Sequence, residues 1–358
     1  MMASKAPGAD LKKAKDVAEQ VMADVSGMAL GALCFIGDRL GLFKAMGDGS
    51  ELTVAQLAAR CEIKPRYARE WLDAMVAAGY AQYRPAERTY WLTPEYAMVL
   101  ADENSPLFVG GYFALVQGAA SVATKVAEAF KNGGGVDQKE YPPWFYEAVE
   151  RNSRVRYRHK LLSKWLAAVP GASAALQAGG LVADVGCGGG HAAIVIAQGF
   201  AKARVIGYDV HAPSLERARQ NAAAAGVSDR VSFELDDGSH LPAAAFDLVT
   251  TFDVVHDSVD PLGLLRAIRR ALKPQGIYLM QEIKLSGEPQ DNVGRLGKIG
   301  YSMSTLYCMT TSLAHDGAGI GVAMGEVKAR ELATAAGFGV FNHLPVEDDF
   351  AVLYELRP

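Results

Sequence analysis

Residues 181–200 read "LVADVGCGGGHAAIVIAQGF". An apolar run closes on Asp184, passes through Gly186, Gly188, Gly189 and Gly190, and resumes with apolar residues at helical spacing. The stretch therefore predicts a strand, a tight turn and a helix. Downstream, "ARVIGYD" (203–209), "RVSFEL" (230–235), "FDLVTTFD" (246–253), "GIYLMQEI" (276–283), "FGVFNHL" (338–344) and "AVLYEL" (351–356) read as further strands, the early ones followed by helical stretches. Such alternation specifies an α/β fold, a seven-stranded, Rossmann-like, doubly wound sheet covered on both faces. The last two strands lie about a dozen residues apart, which suits an antiparallel pair at the sheet edge.

Upstream the rhythm is different. From Leu11 to Met46 the pattern is helical, interrupted at Gly37 and Gly41, and apolar around so much of its circumference that more than one face should be buried. "LTVAQLAARCEI" (52–63) opens with Thr53 as a helix N-cap, and "KPRYAREWLDAMVAAGY" (64–80) runs from Pro65 in its first turn to Gly79. "YAQYRPAERTYWLTP" (80–94) alternates about a Pro85 turn, as a hairpin does. Helix, helix, hairpin is a winged-helix order. The expected organisation is a winged-helix or dimerisation domain over 1–100, a helical linker and site cover over 101–175, and a sheet domain over 176–358 with a cap insertion at 284–325.

Composition limits the functions available. The chain has 358 residues, half of them hydrophobic, and a formal net charge of −4. No run approaches the roughly 18 uninterrupted apolar residues of a membrane span, and the N-terminal stretch lacks a secretion signal, so a cytoplasmic protein with no membrane partner is expected. Between residues 50 and 100, Arg60, Lys64, Arg66, Arg69, Arg84 and Arg88 are matched by Glu51, Glu62, Glu70, Asp73, Glu87 and Glu95. That zero balance disfavours nucleic acid as a partner and favours packing or dimerisation. Cys34, Cys61, Cys187 and Cys308 sit far apart without metal-ligand spacing, so reduced thiols and no metal are expected.

What the glycine turn holds depends on the acids around it. Gly188, Gly190 and Ala193 satisfy G-x-G-x-x-A, and Asp209 lies 21 positions beyond Gly188, as in a nicotinamide site. Asp184 at the strand end and Asp237 after the third strand have no required part in that fingerprint. They suit a ligand with a ribose, an adenine and a cationic centre but no phosphate, because Asp209 can accept from ribose hydroxyls and Asp237 from an adenine amino group. Three acids at the ends of successive strands mark one crevice.

"VADVGCGGG", "GYD", "LDDGSHLP", "FDLVTTFDVVHD" and "LKPQGIYLMQE" in this order resemble class I S-adenosylmethionine-dependent methyltransferases over about residues 175–358. The preceding module is similar to the N-terminal dimerisation domain of small-molecule O-methyltransferases. The resemblance implies a homodimer and S-adenosylmethionine as cofactor, contacted by Asp184, Gly186, Gly188, Asp209, Asp237 and Gly238, with Asp253 at its methionine end. "VVHDSVDP" resembles the H-D-W-x-D run in which the histidine is the general base, which implies that role for His256; Ser258 stands where the family has tryptophan.

An imidazole near neutral pKa suits proton removal from a hydroxyl acceptor. Its orienting partner is open among Asp257, Glu282 and Glu326, and His315 is an alternative base. Trp144, Arg151, Tyr301, Tyr307 and Met309 are the substrate-pocket candidates. The expected reaction is O-methylation of a small molecule. Its rivals are S-methylation of a thiol or of a carboxylate-bearing thioether, a ligand-sensing DNA-binding regulator, and a nicotinamide oxidoreductase.

Overall fold

The computed structural model describes Gly8 and residues 10–358. Residues 1–7 and 9, part of the stretch expected to lack a signal, lie outside the described residues. The chain divides into two compact units, 1–117 and 118–358.

In the first unit a helix runs over Leu11–Arg39, capped by Asp10, whose carboxylate accepts from the Lys12 backbone N–H at 2.8 Å. Gly37 does not interrupt it, contrary to the sequence expectation. That position is a close approach: a Cβ there would collide with the Trp71 indole, whose Nε1 donates to the Leu33 carbonyl at 2.9 Å. The break falls at Gly41, whose φ of 68° is left-handed. Nor does the helix bury more than one face within the unit, since Leu11, Val17, Val21, Met22, Val25 and Met28 are exposed. By length and composition it is the one helix among the described residues able to cross a bilayer.

A winged helix follows. Thr53 and Gln56 form a reciprocal capping box at the start of the Val54–Arg60 helix, and Pro65 opens the Pro65–Ala77 helix. Strand β1 (Leu52–Thr53) pairs with β3 (Thr89–Trp91), which pairs with β2 (Gln82–Arg84). The hydrophobic centre contains Phe43, Leu57, Trp71, Leu72, Met75 and Leu92.

The second unit is built on a seven-stranded sheet. Its strands are β4 (Leu181–Val185), β5 (Arg204–Asp209), β6 (Val231–Leu235), β7 (Phe246–Phe252), β8 (Leu272–Ile283), β9 (Val340–His343) and β10 (Ala351–Arg357). Their order is β6-β5-β4-β7-β8-β10-β9, parallel except for β10, which is antiparallel to both neighbours. The order reverses at β4, so the ends of β4, β5 and β7 open into the crevice where such sheets bind ligands.

Two cores cover the faces. One packs the His191–Gly199 and Ala212–Ala224 helices with Leu161 and Trp165; the other packs the Pro261–Ala271 and Gly325–Ala336 helices. Asp260 caps the Pro261 helix by accepting from the Gly263 N–H at 2.8 Å. The Trp165 ring stacks on Phe252 at 5.7 Å between centroids. Truncating so large a buried ring costs about 3–5 kcal/mol. This packing fixes the last residue of β7 immediately before the site loop.

Candidate active site

Asp184 is the penultimate residue of β4; its Oδ1 accepts from the Thr250 hydroxyl of β7 at 2.9 Å, while Oδ2 makes no hydrogen bond. Burial pushes this carboxyl up to about 7, against the pull of Thr250. The turn that follows is left-handed at Gly186, Gly188 and Gly190, with φ of 71°, 51° and 74°. A side chain at any of these would be strained, so glycine is what lets the chain fold back over the strand ends.

Asp209, ending β5, closes the turn from the other side. One oxygen accepts from the Gly188 N–H and the other from the His211 N–H, both at 2.8 Å. Each oxygen keeps a lone pair for a further donor. Glu150, on the Pro143–Arg156 helix, packs against Gly189 and accepts from Arg217 Nε at 2.8 Å. From the same helix, Tyr146 stacks on His211 at 4.1 Å. Asp237 is exposed after β6, held by the Ser239 N–H at 2.9 Å, beside the buried Gly238.

Beyond β7 the backbone turns sharply at Asp253, a non-glycine residue with φ of 59°. Its carboxylate accepts from Arg156 at 2.9 Å and from Gln281 Nε2 at 2.7 Å, and its N–H donates to the Gln281 carbonyl at 3.0 Å. Gln281 Oε1 and Asn152 Oδ1, like Asp184 Oδ2, are buried acceptors with no donor. Buried acceptors in this condition are costly, and each calls for a donor that the chain itself does not supply.

Three residues on, His256 is buried with its Nδ1 against the Glu282 carboxylate at the end of β8. Glu282 also accepts from the Val255 N–H at 3.1 Å, which aims it. Of the partners left open by the sequence, the structure therefore gives Glu282; Glu326 is occupied by Arg330 and His343. Burial alone would lower the His256 pKa, but the Glu282 carboxylate and a hydrogen bond with the Cys308 thiol carry it well above 6.5. Asp257 next to it is pushed up to about 7 by desolvation.

The cap folds as an Arg295–Met303 helix, a π-helical turn over Ser304–Cys308 and a Met309–Leu313 helix. Tyr307 packs edge-on against Tyr141 and Phe145 at 5.2 and 4.8 Å, and burial raises its phenol far above 10. Met309 is half-buried beside it. Tyr301 instead accepts a hydrogen bond from Asn292 within the cap at 2.8 Å. His315 is exposed with Nε2 3.5 Å from an Asp137 oxygen, a surface contact rather than a partner of the buried dyad. Trp144 and Arg151 are half-buried on the Pro143–Arg156 helix. The Arg156–Asp253 and Glu150–Arg217 pairs escaped the sequence reading, because each joins residues 67 or more positions apart.

Known proteins resemble this chain in two segments and in its fold. Residues 176–316 match a methyltransferase domain family, and residues 28–102 match an Rv2258c-like winged HTH domain. The chain is 30% identical over 145 residues, 39% of its length and 53% of the relative's, to 27-O-demethylrifamycin SV methyltransferase of Amycolatopsis mediterranei. It spans about half the length of the curated relatives it matches.

Among solved structures, human N-acetylserotonin methyltransferase in complex with SAM superposes with a TM-score of 0.72 at 19% identity, over 100% of this chain and 99% of that one. An O-methyltransferase of Nostoc punctiforme gives 0.70 at 20% identity, over 95% and 98%. Two segments of the chain are thus similar to a methyltransferase domain and to a winged helix-turn-helix domain, and the whole chain shares its fold with these solved structures.

Proposed function

We propose that the protein transfers a methyl group from S-adenosylmethionine to the hydroxyl of a small molecule, with His256 as general base. The observation that carries this reading is the buried His256–Glu282 pair at the mouth of the sheet crevice. S-adenosylmethionine, when bound, supplies an electrophilic methyl on a sulfonium.

The chain's own groups do the rest. Gly186 and Gly188 would let the cofactor approach the chain closely, Asp209 would accept from the ribose hydroxyls, and Asp237 and the Gly238 backbone would hold the adenine. Asp184, Asp253, Gln281 and Asn152 offer acceptors to the ammonium end. Glu282 holds Nδ1–H of the imidazole, so in the neutral form Nε2 carries the lone pair that would take the acceptor hydroxyl's proton. Tyr307 and Met309 of the cap (284–325), with Trp144 and Arg151, wall the acceptor off from water, which in-line displacement requires.

The exposed apolar stripe of the Leu11–Arg39 helix is the seam of a homodimer in this reading. Residues 1–100 then serve dimerisation, 101–175 link and cover the site, and 176–358 carry the chemistry. Four free cysteines suit the reducing cytoplasm.

The test is an assay with S-adenosylmethionine against panels of hydroxyl and thiol acceptors, read by mass. Methylated alcohols or phenols are expected. His256→Ala should lower turnover about 10²–10⁴-fold while calorimetric affinity for S-adenosylhomocysteine stays at wild type. Undiminished turnover in the variant, or products methylated only on sulfur, would defeat the reading.

A further inference from the structure

Besides its contact with Glu282, His256 takes part in a second constellation. One ligand atom each from His256, Asp257 and Cys308 lies within 4.8 Å of the other two. We infer that these three side chains form a binding site for a divalent transition-metal ion of the zinc class, one that takes the nitrogen the base needs.

The donor set decides the class. A thiol, an imidazole and a carboxylate together suit zinc or cobalt and not magnesium or calcium, which require oxygen alone. Tetrahedral coordination puts neighbouring donor atoms about 3.5 Å apart, so the three must draw in by about an ångström, a rotamer-scale adjustment. The surrounding contacts are those a metal-bound histidine has. With Nδ1 held by Glu282, Nε2 is the remaining coordinating nitrogen, and a carboxylate behind a ligating imidazole fixes its orientation and strengthens it as a donor. Cys308 ends the π-helical turn Ser304–Cys308 with its sulfur within 4.8 Å of a His256 ring nitrogen; π turns inside helices recur at functional sites.

Binding forms metal–N, metal–O and metal–S bonds and releases to solvent the thiol proton together with any proton held on His256 Nε2 or on the Asp257 carboxyl. Three protein ligands leave a fourth position for water or an acceptor oxygen. Metal coordination and proton acceptance exclude one another at Nε2, so the loaded form cannot use His256 as a base. The site itself stands on its donors and does not depend on the methyl-transfer reading.

The experiment treats the full-length protein with a chelator, dialyses it, and titrates it with Co²⁺ followed by absorbance. Expected are tetrahedral ligand-field bands and a sulfur-to-cobalt charge-transfer band saturating at one equivalent per chain. Cys308→Ser should lose the charge-transfer band, and Glu282→Gln should weaken Co²⁺ binding about 10–100-fold. His240→Ala, in the group of half-buried Asp236 with exposed Asp237 and His240, should change neither.

Because Cys308→Ser could misfold, wild type supplies a second measurement. Zn²⁺ should slow alkylation of Cys308, mapped by peptide mass, and leave Cys61 unprotected. A missing charge-transfer band, its survival in Cys308→Ser, or equal alkylation with and without Zn²⁺ overturns the site.

Discussion

The winged helix and the crevice at the end of the sheet both carry opposite charges in pairs, yet they handle them in opposite ways. Arg66 and Glu70 pair on a helix surface with side chains 72% and 69% exposed. Arg156 pairs with Asp253 at 18% and 20% exposure, and His256 with Glu282 at 2% and 4%. Exposed pairs contribute little because water competes for both ions. Enclosed ones must recover the full cost of desolvation, and removing one partner strands the other. Charges kept at that cost, in a crevice rather than on a face, mark where chemistry is done.

The contrast can be broken most directly at Asp209. Asp209→Ala removes the acceptor of two backbone N–H groups and of the proposed ribose contacts. Affinity for S-adenosylhomocysteine should fall by about 100-fold or more, measured by calorimetry beside a circular-dichroism check of the fold. Wild-type affinity would refute the assignment of the crevice.

Glu282→Gln sharpens the comparison through pH. The wild-type His256 pKa is raised, so its basic form grows only as pH climbs past a midpoint above 6.5. The acidic limb of kcat/KM should therefore lie above 6.5 in wild type and move to lower pH in the glutamine variant. Turnover at high pH should also fall, by about tenfold or more, as the tautomer loses its anchor. Superimposable profiles would remove Glu282 from the mechanism.

Asp184 tests the cost of burial itself. Its folded pKa is raised from 3.8 to about 7, so the unfolded state gives up this proton more readily, and the group's contribution to stability declines as pH rises through that interval. Asp184→Asn should raise the apo melting temperature at pH 7 and flatten its dependence between those values, while weakening S-adenosylhomocysteine. A lower melting temperature at pH 7 would show that the carboxylate stabilises the empty fold. The smallest effect belongs to the winged helix: Glu70→Ala should change unfolding free energy by about 0.5 kcal/mol or less in urea titration.

The sequence revealed the crevice better than the dyad, for a physical reason. Asp184, Gly186, Gly188 and Asp209 lie at the ends of strands that alternate in a fixed order, so local pattern locates them. The pairing of His256 with Glu282 needs the register of β7 against β8, where Phe252 lies opposite Gln281, and periodicity carries no register between parallel strands. Local pattern also misled at Gly37, where it suggested a break and the structure has a close approach by Trp71. His315 and Tyr301 looked like pocket residues because the cap's length was legible and its path was not.

Asp253 leaves a constraint on how this protein can vary. Its backbone sits in the left-handed region at φ 59°, which only glycine, asparagine and aspartate occupy readily. Glycine would relax the turn but give up the Arg156 ion pair, and asparagine would keep the shape while halving the charge match. A drifting sequence thus has almost no neutral path through this position, and a library built on this protein should hold residue 253 fixed while it randomises the cap.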